Sequence, residues 1–465
     1  MSSSAHLPPV RTPAAGSPPP GRIRSLPARL GIPPALTWGF VGVLLFMTGD
    51  GVETGFFSKY LADQGMGKTD AAVVIAVYGI TVAIGAWLSG ALSDLWGPRR
   101  VMTAGFAIWL VFQVLLLTVA LPAMNYPLLL LIYGLRGFGY PLFAYGFLVW
   151  VTAATEPRRM GTAVGWYWFA FTGGLPTLGS LVASATIPAI GSYHTLWCAL
   201  GLVTLGGLLA LLLVREPTGR SPLAPHGERP LATLAGSVSI MRRRPRVAVG
   251  AAVRVVSTGS QFGFLVCMPF FFTETVGFST SGWLRLLSVM FAANIFANLF
   301  FGAVGDRLGW QRTMTWFGAV ACAVTCLGLY YVPVVAGPHF LPAAVAAALY
   351  GIALAGYVPI SALVPALAPR HKGQAMSALN LGAGASTFAG PAVVALALGP
   401  VGVAGIVWIF ALLHLATAVA IRLLVPDPEF TAPSAELPDV PSDSLSDSLS
   451  AAPQTGVASL PAGRR

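Results

Sequence analysis

The chain has 465 residues, 55% of them hydrophobic and only 9% charged, with a formal net charge of +11 at pH 7. Soluble domains carry about a quarter charged residues, so a water-soluble fold is excluded and an all-α, polytopic membrane protein is expected. Most apolar runs lack the alternation of outer-membrane strands, which argues against a barrel.

Residues 1–34, rich in Pro, Ser and Ala with Arg11, Arg22, Arg24 and Arg29, have no apolar core of their own and read as a disordered tail. Twelve apolar spans follow, at about 35–61, 71–93, 101–121, 127–152, 160–188, 195–214, 247–273, 283–304, 313–335, 341–367, 375–398 and 401–425. They group into an N-terminal half, 35–214, and a C-terminal half, 247–425. The linker between them, 215–246, holds Pro217, Pro222, Pro225 and Pro230 and ends in Arg242-Arg243-Arg244-Pro245-Arg246, a run suited to an anionic leaflet. Residues 426–465 read as a second disordered tail.

Charge placement explains the basic balance. Of the 27 Lys and Arg, 22 precede the first span, sit in alternate loops, or fall at or beyond the last span. This positive-inside pattern predicts a multi-pass protein of the cell membrane with both termini cytoplasmic. The partner it implies is the lipid bilayer, and nucleic acid is not expected. Cys198, Cys267, Cys322 and Cys326 all lie in apolar runs, so neither a disulfide framework nor a metal site is expected.

The first span carries Asp50 and Glu53, three residues apart and therefore on one helix face. Carboxylates inside an apolar span are costly unless they meet a partner or a watery cavity. Gly49, Gly51 and Gly55 around them permit a local break, as in the discontinuous helices of transporters. The fourth span supplies Arg136, nine residues after Pro127 and so roughly 13 Å from the outer end. Asp50 lies eleven residues before Leu61, roughly 16 Å from that same end. The three charges share a level. They form either a fixed ion pair between helices or a carboxylate that alternates between proton, Arg136 and substrate.

Other polar groups within the spans are Tyr140, Tyr145, Arg254, Gln261, Asn294, Asn298, Tyr357 and Asn380. Each is a candidate for lining a substrate cavity. For the amides, hydrogen bonding between helices is an equal alternative, and Arg254 sits where it can also snorkel to the cytoplasmic face. Pro176 and Pro391 can bend the fifth and eleventh spans. No His pair, nucleophile elbow or phosphate-binding loop with Lys is present, so an enzyme or an ATP-driven pump is not expected.

One loop occurs twice. Gly90, Asp94, Gly97 and Arg100 map onto Gly302, Asp306, Gly309 and Arg312 with an offset of 212 residues, and Pro157 and Gly161 map likewise onto Pro369 and Gly373. A unit repeated at fixed offset implies a duplicated membrane architecture. Each aspartate is expected to act in a charge-relay latch with nearby basic residues, Arg99 and Arg100 or Arg307 and Arg312, that holds one conformation of a gate.

The duplicated loop, and Arg136 followed by Gly137 and Gly139, resemble the major facilitator superfamily. The resemblance implies twelve helices in two six-helix bundles related by a pseudo-twofold axis. Residues 38–161, with Gly49-Asp50-Gly51, Tyr78-Gly79-Ile80-Thr81, Trp87-Leu88-Ser89-Gly90 and Arg136 to Tyr145, look like the polyol permease branch. That likeness implies proton-coupled import of a sugar alcohol, with no cofactor, the proton as coupling ion and Asp50 as its first carrier. The protein is expected to act as a monomer on a small-molecule substrate. A dicarboxylate permease of the 2-oxoglutarate kind is the near alternative, and a non-transporting sensor of the same fold a more distant one. Two departures stand out. Lys59 replaces a proline of the branch and is placed to pair with Glu53 or to alter the outer mouth. Leu175 separates Gly174 from Pro176, so the drug-antiporter Gly-Pro motif is broken.

Overall fold

Inside hydrocarbon a backbone amide finds no water, so each apolar segment must satisfy its own hydrogen bonds as a helix. A computed structural model describes residues 34–155, 160–223, 230–368 and 372–425, and among these residues there is no strand. Pro157 and Pro369 of the repeat, and both expected tails apart from Pro34, lie outside the described residues.

Nine continuous helices among the described residues are long and apolar enough to cross a membrane. The twelve expected spans map onto them through one interruption and two reversals. The first span is divided into Thr37–Gly51 and Phe57–Asp63, each too short to count alone. The fifth and sixth spans run together as 162–213, broken only at Gly191 with φ 80°. There the hydroxyls of Thr186 and Thr195 lie 3.0 Å apart, whereas nine residues of straight helix would separate them by about 13 Å. The chain therefore doubles back. The eleventh and twelfth spans join in the same way at Gly402, φ 63°. Gly263 lies against both Gly390 and Phe410, which a straight helix would hold about 30 Å apart.

The duplication seen in one loop extends to the turns. Every positive-φ residue among those described belongs to a pair at nearly the same offset: Gly65 with Gly277, Gly97 with Gly309, Met124 with Gly337 and Gly191 with Gly402. Gly97 and Gly309 end the second span, Lys68–Trp96, and the eighth, Thr280–Leu308, with φ of 86° and 89°. A left-handed residue at this position caps a helix and turns the chain sharply, which is why glycine stands there.

The linker differs from its expectation. Besides its prolines it contains a helix, Pro230–Arg243, packed against the second span and the start of the Lys372–Ile421 helix. Its first part covers the Gly97 turn: Leu223 N–H donates to the Asp94 carbonyl at 3.1 Å. Glu216 accepts from the Trp150 indole and from Thr218. Burial pushes the Glu216 carboxyl up, but the hydrogen bonds from Thr218 and Trp150 outweigh it and hold it below its ordinary value.

The two faces of the bundle differ. The face where Thr37 begins and Ile421 ends, here called proximal, is the one expected to be cytoplasmic. Hydrogen bonds between the two halves gather from mid-depth to the distal face. Trp283 Nε1 donates to Gly55 O at 2.8 Å, Ser58 Oγ to Val266 O at 3.0 Å and Thr387 Oγ1 to Gly79 O at 2.8 Å. At the distal rim Glu274 meets Lys68 at 2.5 Å and Lys59 at 3.6 Å, and Lys59 also holds Asp63 at 2.6 Å. Lys59 thus serves the outer mouth and does not pair with Glu53. The distal side of the interface is sealed.

Two outcomes follow from this packing. A Cβ on Gly51 would stand 1.6 Å from the Leu175 carbonyl oxygen, whereas one on Gly201 meets nothing within 4 Å. Gly51→Val should therefore abolish accumulation of folded protein, while Gly201→Ala should leave the thermal midpoint unchanged or raised by up to about 1 kcal/mol of stability, read by size-exclusion and melting. The rim ion pairs are worth at most about 1 kcal/mol each, and Glu274 makes two of them, so Glu274→Gln should raise the distally open population by up to about thirtyfold. Electron–electron resonance between labels on Gln64 and Ser279 measures it as growth of a longer-distance component.

Candidate functional site

The site arises where two helices break at one depth. The first span stops at Gly51, and the intervening turn is held by Thr54 N–H to Gly51 O at 3.2 Å and Phe57 N–H to Glu53 O at 3.0 Å. The break fits because the glycine backbone lies directly on Leu175, in the wound-out π-helical segment Gly173–Leu178 that contains Pro176. The bend expected at Pro176 is present; at Pro391 the helix continues, and its non-helical point is Gly402. The fourth span breaks just after Arg136, between Tyr126–Arg136 and Gly139–Ala154. Gly137 there packs on Thr81 and the Tyr78 carbonyl, leaving no room for a side chain.

These breaks bring the three predicted charges together. Arg136 Nη2 lies 3.0 Å from Asp50 Oδ1, and Nη1 lies 2.7 and 2.8 Å from the two oxygens of Glu53. Arg136 is 0% exposed and each carboxylate 3%. Trp109 Nε1 donates to Asp50 Oδ1 at 2.5 Å, and Tyr133 OH donates to Glu53 Oε1 at 2.8 Å. The guanidinium carbon stands 4.8, 5.1 and 5.5 Å from the ring centroids of Trp109, Tyr133 and Tyr78, an aromatic cage of cation–π contacts.

The two carboxylates differ in how they are held. Both oxygens of Glu53 accept from Arg136, and one also from Tyr133. Asp50 accepts both of its bonds on Oδ1, and Oδ2 has no donor among the described residues. With both acids ionised the cluster carries two negative charges against one positive. An uncompensated buried charge costs several kcal/mol, and one proton would balance the set.

Asp50 and Glu53 border a cavity between the two halves. Its other polar lining is hydroxyl: Thr54, Ser58, Tyr78, Tyr133, Tyr140 and Thr387. Ser58, Tyr133 and Thr387 spend their protons on Val266 O, Glu53 and Gly79 O, which leaves Thr54, Tyr78 and Tyr140 uncommitted.

The remaining predicted residues are dispersed. Asn294 donates to Gly351 O at 2.9 Å and receives from Asn298 at 3.2 Å, so this pair clamps the eighth span to the tenth and does not line the cavity. Tyr357 is turned into the C-half core, bonded to His414 Nδ1 at 2.9 Å and Thr417 Oγ1 at 2.7 Å. Asn380 is exposed and away from the cavity lining. Tyr145, Gln261 and Arg254 are half-buried. In the repeated loops Arg100 is exposed, while Arg99 donates to Leu211 O at 2.5 Å. Gly90 and Gly302 have open space beside them; Arg307 and Arg312 are exposed, and the Asp306 side chain lies outside the described set.

Sequence reasoning missed Trp109, Tyr78 and Tyr133 as members of the cluster. Tyr133 carried a signal, since it stands one helical turn before Arg136. Trp109 carried none, because the third span reaches Asp50 only through packing.

Removing the cation tests the cluster. Arg136→Gln strands two buried carboxylates and should cost about 3–5 kcal/mol of stability. Adding Glu53→Gln should recover a large part of the lost thermal midpoint. A double variant no more stable than the single one would show that the ion pair does not hold the helices.

Comparison with known proteins places this geometry. The family model described as Major Facilitator Superfamily matches residues 39–344 and 255–451. The chain is 44% identical over 396 residues to the alpha-ketoglutarate permease of Bacillus subtilis (strain 168), covering 85% of this chain and 90% of that protein. It is 39% identical over 367 residues to the D-arabinitol transporter of Klebsiella pneumoniae, covering 78% of this chain and 86% of that one. To the ribitol transporter of Klebsiella pneumoniae it is 38% identical over 403 residues, covering 86% and 94%. The crystal structure of the nucleoside transporter NupG superposes with a TM-score of 0.66 at 14% identity, covering 84% of this chain and 99% of that chain, a likeness of fold alone.

Proposed function

Because the chain belongs to the major facilitator superfamily and is a transporter of that type, we propose that it imports a small sugar alcohol, a pentitol, together with a proton. The observation that carries this reading is the free Oδ2 of Asp50 at the edge of a cavity with no uncommitted cation. A polyol is neutral and rich in hydroxyl donors. Such a solute suits a wall of carboxylate and hydroxyl acceptors, and the negative cluster would repel an anion. The relatives named D-arabinitol and ribitol transporters support the same class.

The mechanism follows from charge. With the distal side open, a proton on Asp50 neutralises the cluster and solute hydroxyls bond to Asp50 and the free tyrosines. A neutral cleft closes without burying net charge, and the halves rock so that the site faces the other way. Release of solute and proton on the cytoplasmic side restores the ionised pair with Arg136. Glu53, fully occupied by Arg136 and Tyr133, keeps the cation in place and is second as proton carrier. In this reading the chain works as a monomer in the cell membrane, with halves 35–214 and 247–425 moving as units and both termini cytoplasmic. The Asp94 and Asp306 segments latch the cytoplasmic side when it closes.

Asp50→Asn should abolish accumulation of labelled ribitol driven by a pH gradient in proteoliposomes, while ribitol counterflow persists. Accumulation equal to wild type would remove Asp50 from the coupling role. The alpha-ketoglutarate permease relative and the cation at Arg254 favour a second reading, a dicarboxylate permease. Displacement of ribitol uptake by 2-oxoglutarate, and uptake of labelled 2-oxoglutarate itself, separates the two.

A further inference from the structure

Arg254 lies nine residues into the Pro245–Phe270 helix, roughly 13 Å from its proximal end, and is half-buried. Successive positions turn by about 100°, so Gln261 and Leu265 each fall within about 20° of Arg254 and about 40° of one another, on a single stripe of that helix. Leu265 lines the central cavity. The stripe therefore runs from the cavity toward the proximal side, with Arg254 roughly 16 Å below Leu265. Among the described residues Arg254 has no ion-pair or hydrogen-bond partner for its guanidinium.

The opposite wall belongs to the other half. Tyr140 lines the cavity, and Tyr145 stands five residues further toward the proximal side, about 7 Å along the helix. Tyr145 is half-buried, its ring stacked on Phe171 at 5.7 Å and edge-on to Trp168 at 6.4 Å, and its hydroxyl has no partner among the described residues. Tyr145 and Arg254 lie within electrostatic reach of each other across the cleft. The Tyr167 hydroxyl, fully buried in the same aromatic cluster, also lacks a partner. A guanidinium without a counter-charge inside a membrane-crossing helix is costly, and a fork of N–H donors beside phenolic hydroxyls matches a carboxylate.

We infer that Arg254 and Tyr145 form a second, proximal subsite that binds the carboxylate of a small organic acid, apart from the Asp50–Glu53–Arg136 cluster. The subsite rests on the proposed reading of the interdomain cleft as the solute path, and it extends that reading from neutral polyols to keto and hydroxy acids. The separation from Asp50 matters. An acidic solute would be repelled at the carboxylate pair and attracted here, so one cleft accommodates both chemistries at different depths.

The test is equilibrium binding of 2-oxoglutarate to the full chain in nanodiscs, with no transport required. Arg254→Gln should weaken binding at least tenfold, and Arg254→Lys, which keeps the charge, should restore most of it. Tyr145→Phe should weaken binding a few-fold, a readout available even if Arg254→Gln fails to fold. Asp50→Asn, which removes an opposing negative charge, should leave 2-oxoglutarate binding equal or tighter. Succinate should displace the probe, and sulfate at equal ionic strength should not. No saturable binding to wild type, unchanged binding in Arg254→Gln, or displacement by sulfate as effective as by succinate would each overturn the subsite. Loss of proton-driven ribitol uptake with 2-oxoglutarate binding intact would count against the pentitol reading alone.

Discussion

The rest of the structure depends on one guanidinium placed where there is no water to solvate it. Arg136 is wholly enclosed, and it is tolerated because Asp50 and Glu53 meet it from a neighbouring helix and aromatic faces close around it. That arrangement constrains the backbone in turn. Both helices break beside their charged residues. The breaks demand glycine, since Gly51 lies on the Leu175 carbonyl and Gly137 on the Tyr78 carbonyl. Electrostatics and close packing here are a single requirement.

The cluster also sets what the cavity can hold. Its cation is paired through both terminal nitrogens with Asp50 and Glu53, so the groups it presents to the cleft are carboxylate oxygens and hydroxyls. The second acid gives the site a charge to spare, and the two carboxylates are bonded unequally, Glu53 through both oxygens and Asp50 through one. The distal seal, built from backbone-directed hydrogen bonds of Ser58, Trp283 and Thr387 and only thinly from exposed ion pairs, is of the kind that can be exchanged for another arrangement at modest cost.

Much of this was legible in the residues. Apolar length marks the spans, because a segment that crosses hydrocarbon must be both long and helical. The meeting of Asp50, Glu53 and Arg136 was also legible, because rise per residue fixes depth and charges at one depth in a small bundle seek each other. The repeat of Gly90 to Arg100 announced a duplication, and the four matched positive-φ turns show how far it extends. The amides and tyrosines were less legible. Asn294 and Tyr357 have the composition of cavity residues, yet one clamps two helices and the other closes a hydroxyl–imidazole chain with His414. A polar residue in a membrane helix must find a partner, and the sequence does not say on which side of the helix the partner waits.

By itself, then, the sequence determined the membrane class, the helical fold, the twofold repeat and the necessity of a buried charge cluster, since each follows from local periodicity, length or the cost of an unpaired charge. Only the tertiary structure decided that Trp109 and Tyr133 complete that cluster, that Lys59 turns to Glu274 instead of Glu53, and that Arg254 meets no counter-charge among the described residues. Those outcomes depend on how reversals at Gly191 and Gly402 and the rotation of each helix about its axis bring distant faces together, and no local pattern encodes that rotation.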